Sequence, residues 1–129
     1  TDFYHPLGNA LEPDEMITQV WIPGPLGNSR QVFLKHRVRD AIDFATVSLG
    51  LTVSMDGETV KDSRIVLGAV APGPYRAAAA EAALVGQKIN DQAIEDVASA
   101  AVAGAVPLSR NGYKINIIKS LIKKSYTLI

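Results

Sequence analysis

Apolar residues recur along this chain with two periods, one near two in the first half and one near 3.6 in the second. Residues 16–22 carry Ile17, Val20, Trp21 and Ile22 in loose alternation and run into Pro23, which predicts a strand stopped by proline. Gly24-Pro25-Leu26-Gly27-Asn28 then reads as a plain turn, with neither GxGxxG nor GxxxxGK[ST] spacing to cradle a phosphate. Residues 32–38 are predicted to be short extended or irregular chain. Over residues 42–55, Phe44, Val47, Leu49, Leu51 and Val53 supply the apolar positions of a long strand. Asp56-Gly57 signals a type I′ hairpin, and residues 60–70 return as the antiparallel partner.

The pattern changes in residues 64–76, RIVLGAVAPGPYR. Pro72-Gly73-Pro74 admits neither helix nor central strand, so the strand must stop there. An alanine-rich helix is predicted over residues 76–85, closed by Gly86. A second helix, over residues 91–106, has Asn90 as N-cap and Pro107 as stop. A third covers about residues 111–128. In the second, Ile94, Val97, Ala98, Ala101, Val102 and Ala105 make one apolar face of mostly small side chains, suited to close packing. In the third, Ile115, Ile118, Leu121 and Ile122 share an apolar arc that excludes Lys119, Lys123 and Lys124 but includes Lys114. Strands first and helices afterwards predict an α+β sandwich: an antiparallel sheet of three to four strands with three helices packed on one face. Residues 1–129 read as a single domain, with a polar lead-in (1–15), a sheet region (16–70) and a helical region (76–128).

Composition narrows the function classes. Hydrophobic residues at 47% and charged residues at 20% are ordinary globular values, and no apolar run has the roughly 20 residues of a membrane helix. With no cysteine the chain has no disulfide, thiolate zinc site, cysteine-held iron–sulfur cluster or cysteine nucleophile, which fits a cytoplasmic protein. The net charge is zero but uneven: Asp2, Glu12, Asp14 and Glu15 precede any lysine or arginine, and after Asp96 every charge is positive (Arg110, Lys114, Lys119, Lys123, Lys124). That basic end is a solvated helix face or a contact surface for a partner. Nucleic acid is disfavoured, because aromatics make up only 6% of residues and do not interleave with the basic ones. The chain starts at Thr1 with no signal-peptide pattern, as expected of a piece of a longer subunit.

No catalytic constellation stands out. His5 and His36 lack partners at metal-ligand spacing, so no metal site is expected. Ser48 and Ser54 sit within strands and Ser109 precedes a helix it could cap, so no hydrolase triad is supported. Glu12, Asp14 and Glu15 form a polar lead-in rather than a catalytic carboxylate pair. Lys35, Arg37 and Arg39 put a cation at every second position, which on a strand would face one way. Asp40 and Asp43 could answer them as structural ion pairs.

Residues 64–76, together with Phe33-Leu34-Lys35, Arg39, Asp43-Phe44-Ala45 and Glu81-Ala82-Ala83-Leu84-Val85-Gly86, carry a resemblance. In their order and spacing they resemble the C-terminal domain of the FAD-binding medium subunit of the xanthine dehydrogenase and carbon monoxide dehydrogenase family, the molybdenum hydroxylases. Similarity runs from Leu11-Glu12-Pro13-Asp14-Glu15 to the basic last helix. The resemblance implies the same α+β arrangement. It implies FAD held mostly by an upstream domain, a large subunit carrying molybdopterin, and a small subunit carrying 2Fe–2S clusters. It also implies a lysine near the isoalloxazine ring at Lys35, where a fixed cation favours the negative charge of the reduced ring. Only Lys35 carries over, because Ser109-Arg110-Asn111-Gly112-Tyr113-Lys114 is shorter and richer in lysine than the commoner family ending. The expected function is to complete the flavin site and dock partner subunits, with no bond-breaking in this domain. The alternative is a stand-alone interaction or scaffold module using the lysine face of the last helix.

Overall fold

The computed structural model describes residues 3–129, so the first two residues of the expected polar lead-in lie outside the described residues. A small hairpin pairs β1 (Tyr4–His5) with β2 (Gly8–Asn9). The sequence signal for it is Pro6 followed two residues later by Gly8, a common type I turn arrangement. The main sheet is antiparallel, in the order β3 (Ser29–His36), β4 (Val47–Asp56), β5 (Thr59–Gly68), β6 (Tyr75–Arg76). Three helices follow: α1 (Ala78–Leu84), α2 (Asp91–Ala100) and α3 (Tyr113–Tyr126). The α+β class and the sheet-then-helix order are as predicted.

Alternation builds the core. Val47, Leu49, Leu51 and Val53 of β4 and Ile65 and Leu67 of β5 are buried under the helices, cross-strand neighbours in the register Leu49↔Leu67 and Leu51↔Ile65. A register shift near Ser54 and Met55 leaves Lys61 unmatched, so Val60 and Ser63, three residues apart, are both buried. Helix α1 packs on β5, α3 packs on β4 and β3, and α2 packs on both helices. The small face foreseen for α2 is used, with Ala93, Val97 and Ala98 buried, and the alanine-rich α1 buries Ala80 and Leu84. Asn90 caps α2 as predicted, its Oδ1 accepting the Ala93 N–H at 2.9 Å. Gly86, at φ +80°, ends α1 and turns the chain back to β5.

That return seals one edge of the sheet. At the far end of β5, β6 pairs with Val66 and Leu67, and the Ala77 N–H donates to the Ile65 carbonyl at 2.9 Å. At the near end, the Val60 N–H donates to the Gln87 carbonyl (2.9 Å) and the Gly86 N–H to the Val60 carbonyl (2.8 Å). Between them the Ile65 N–H is met by a side chain, Glu81 Oε1, at 2.9 Å. The Glu81 carboxylate also accepts from Arg76 Nε (3.0 Å) and Nη2 (2.7 Å). Burial raises the Glu81 pKa, but the Arg76 and Ile65 hydrogen bonds and the charges of Arg76 and Arg64 outweigh it, holding the carboxyl below its ordinary value.

Several predicted boundaries move. Residues 16–22 form no strand, because a strand exists only by pairing and no described strand lies beside them. The strand expected over 42–55 starts at Val47, and the residues before it form a loop with Ile42 and Phe44 fully exposed. The β4–β5 turn centres on Gly57-Glu58, and only Gly57 has positive φ (+60°), the backbone pattern of type II′ rather than the expected I′. Arg76 belongs to β6, so α1 begins at Ala78. Helix α2 ends at Ala100 and not at 106, its chain tightening into i→i+3 turns through Val102 and Ala103. Ser109 does not cap α3; Gly112 is the N-cap residue and provides no side-chain bond. Lys114, placed inside the apolar arc by periodicity, extends its stem across it and donates from Nζ to the Ala69 carbonyl at 2.6 Å. Ala69 holds φ +62° at the turn after β5.

Two pH-dependent effects follow. Glu81→Gln removes a buried charge partner and weakens the bond to the Ile65 amide, lowering stability by about 1–3 kcal/mol near neutral pH. Because the folded-state pKa is depressed, the wild-type advantage is complete above the ordinary value of 4.5 and fades as pH falls through the folded value. Melting temperatures of the two proteins should therefore converge in acid. At the alkaline end, burial pushes the Tyr126 hydroxyl up to about 12, the nearby Ser63 hydroxyl acting in the opposite sense. Neither hydroxyl has a partner at hydrogen-bond geometry. A raised pKa means the stability is complete below the ordinary value of 10 and is lost as pH rises towards 12. Tyr126→Phe should lack that alkaline loss, as the difference in melting temperature across this range will show.

Candidate functional site

The alternation that buries one face of the sheet presents the other. Three cross-strand rows lie on the uncovered face: Lys35, Ser48 and Gly68; then Phe33, Gly50, Val66 and Arg76; then Gln31, Thr52 and Arg64. Gly50 and Gly68 leave the middle of this face without side chains. Gly68 lies so close to Ser48 that an added Cβ would meet Ser48 Oγ at 2.3 Å. The result is two shallow grooves sharing Phe33, Gly50 and Val66. One, of about 500 Å³, is walled by Tyr4 and the Pro72-Gly73-Pro74 corner. The other, of about 320 Å³, is lined by Gln31, Thr52 and Arg64. Phe33 stays 68% exposed on this face.

The three cations picked out from the sequence separate. Arg37 pairs with Asp40 (3.3 Å) and also donates to the Ala41 carbonyl (3.4 Å), and Arg39 pairs with Asp43 (3.3 Å). These contacts lie in the loop between β3 and β4, closed where the Thr46 N–H donates to the His36 carbonyl at 2.8 Å. Strand β3 ends at His36, so the cations do not line one strand face. Structural ion pairing thus accounts for the two arginines. Lys35 makes no ion pair or hydrogen bond among the described residues. It stands exposed in the row of the open face next to Phe33.

The other basic candidates are partly spent. Lys123 pairs with Glu95 of α2 at 2.5 Å, and Lys114 is bound to the Ala69 carbonyl. Lys124 stays exposed. No cluster of His, Cys, Asp and Glu that could hold a metal ion occurs among the described residues, and no described helix is long and apolar enough to cross a membrane. Sequence reasoning missed the open face as a unit. The signal was present in the positions between the buried residues of β4, where Ser48, Gly50 and Thr52 are small or polar. It also missed Arg76 and Glu81 as a pair, five residues apart across the strand-to-helix corner.

Comparison with known proteins bears on this architecture. The model of the CO dehydrogenase flavoprotein C-terminal domain matches residues 33–129. The chain is 29% identical over 130 residues to the glyceraldehyde dehydrogenase medium chain of Sulfolobus acidocaldarius, covering 97% of this chain and 46% of that protein. It is 36% identical over 124 residues to the aldehyde oxidoreductase FAD-binding subunit PaoB of Escherichia coli, covering 92% of this chain and 36% of that protein. It therefore spans less than half the length of these relatives. Among solved structures, quinoline 2-oxidoreductase from Pseudomonas putida 86 superposes with a TM-score of 0.85 at 28% identity, over 96% of this chain and 44% of that one. Reconstituted CO dehydrogenase from Oligotropha carboxidovorans gives 0.84 at 26% identity, over 95% and 44%. The folded unit that presents this open sheet face belongs to the CO dehydrogenase flavoprotein C-terminal domain family, the C-terminal domain of FAD-binding subunits in xanthine dehydrogenase-type and CO dehydrogenase-type oxidoreductases.

Proposed function

We propose that this domain closes one side of a flavin site in a molybdenum-hydroxylase-type oxidoreductase and supplies docking surface for the subunits that exchange electrons with it. The partners in this reading are a molybdopterin-binding large subunit and a 2Fe–2S small subunit, working together in the cytoplasm. FAD, when bound, supplies the electron-carrying ring. This chain supplies a wall and a charge. The observation that carries the reading is Lys35: of three closely spaced cations, it is the one left without an acidic partner among the described residues, on a face that no described helix covers.

The residues suit one side of such a site. An ammonium on the same strand face as an exposed aromatic ring, over strands thinned by glycine, accommodates a flat ring and favours the more negative of its redox forms. The same face offers no glycine-rich phosphate loop, so the diphosphate needs other holders. A scaffold role for the last helix has weaker support, because Lys123 and Lys114 are engaged within the domain.

Two outcomes test this. The isolated 129-residue chain should purify colourless, because one wall of a site makes too few contacts to offset the cost of immobilising the cofactor; stoichiometric FAD in it would contradict the reading. In the longer subunit, Lys35→Ala should lower the flavin reduction potential and slow reduction of the flavin, while changing stability by no more than about 0.5 kcal/mol. A spectroelectrochemical titration that gives an unchanged potential would remove Lys35 from the site.

A further inference from the structure

Residues 16–22 are at odds with their surroundings. On an extended chain Met16, Val20 and Ile22 would fall on one side and Ile17 and Trp21 on the other. All five are 55–81% exposed. Among the described residues, none from 16 to 22 has a backbone hydrogen bond. Surface loops are ordinarily polar, and extended chain carrying bulky apolar groups on both sides has the composition of a strand buried on both faces. Pro23 ends the run, as it would end a strand inside a sheet.

The covering layer is not within this domain. The sheet order is complete as β3-β4-β5-β6, and the core holds none of these side chains. The match to the family model begins at residue 33, and the first strand of the main sheet at Ser29, both beyond Pro23. Similarity to a whole medium chain nevertheless covers 97% of this chain, a span that must include residues 16–22, while leaving more than half of that relative unmatched. The segment thus travels with the subunit and lies outside the matched residues, the four-stranded sheet and its core.

We infer that residues 16–22 are an interior strand of a second sheet, formed by the remainder of the same flavin-binding subunit, and that Pro23 to Asn28 is the crossing between the two folded units. The occupant that covers this strand is that subunit's own β-sheet, pairing through both backbone edges and packing on both faces. The inference rests on the reading of this chain as a domain of a longer flavin subunit.

Hydrogen exchange read by mass spectrometry tests it directly on peptides spanning residues 16–22. In the 129-residue chain these amides should exchange at the rate of unstructured peptide. In the longer subunit, without its partner subunits, exchange should slow by roughly 100-fold or more. Rapid exchange in the longer subunit would overturn the inference, as would protection that appears only when other subunits are added. FAD content of the same preparation separates this result from the functional reading. A yellow subunit with an unprotected segment refutes the strand and leaves the flavin role standing. A protected segment in a subunit that binds no FAD supports the strand and refutes the flavin role. A second readout is Val20→Pro, which removes a ladder donor. It should lower the melting temperature of the longer subunit and leave that of the 129-residue chain unchanged.

Discussion

The Glu81 carboxylate is the constraint on which the arrangement depends. A carboxylate whose side chain is only 7% exposed would be costly without compensation, and here it accepts from the Ile65 amide and from Nε and Nη2 of Arg76. Its partners come from two pieces of the chain, strand β5 and the short strand after the proline corner, while Glu81 itself sits in the first turn of α1. One group therefore sets the angle at which α1 leaves the corner and the distance at which it lies on β5. A helix of seven residues has no stability of its own, so its position must come from such tertiary bonds. Breaking the bond would also reopen the middle of the β5 edge, where Glu81 stands in for a backbone carbonyl.

With that edge sealed and the helices gathered on one side, the other face of the sheet is free by construction. Nothing in the core requires Lys35, Phe33, Gln31 or Thr52, and their side chains contribute to the open rows. The loop after β3 satisfies its own arginines locally, which leaves the lysine at the end of the strand as a charge available to something outside the domain. Family membership supplies the kind of subunit in which such a face is presented, and the electrostatics of the face supply a reason for the lysine. Exposed apolar groups at Ile42, Phe44 and residues 16–22 add to the surface that this unit leaves uncovered.

Much of this was legible in the residues. The alternation of residues 47–53, the Pro72-Gly73-Pro74 corner, Asn90 and Gly86 each have a local physical meaning, and each is realised at its expected place. The open face was half legible, since Lys35 could be singled out but its separation from Arg37 and Arg39 depended on where β3 stops. Residues 16–22 show the limit most clearly. Their pattern is that of a strand, but pairing is a non-local property, and no described strand pairs with them. The early end of α2 has a similar cause: apolar periodicity continues to Ala105, yet Val106 is 90% exposed and nothing packs there to hold the last turn. Arg76 and Glu81 were invisible because their contact crosses from strand to helix, where no single periodicity applies.

The most direct test of this account is the exchange rate of one amide. Measured by NMR on the 129-residue chain, the Ile65 N–H should be among the slowest to exchange, comparable with amides of the central strand β4. In Glu81→Ala it should become selectively fast while β4 stays protected. Equal protection of the Ile65 amide in both proteins would contradict the claim that a side-chain carboxylate completes the edge of the sheet and fixes the helix upon it.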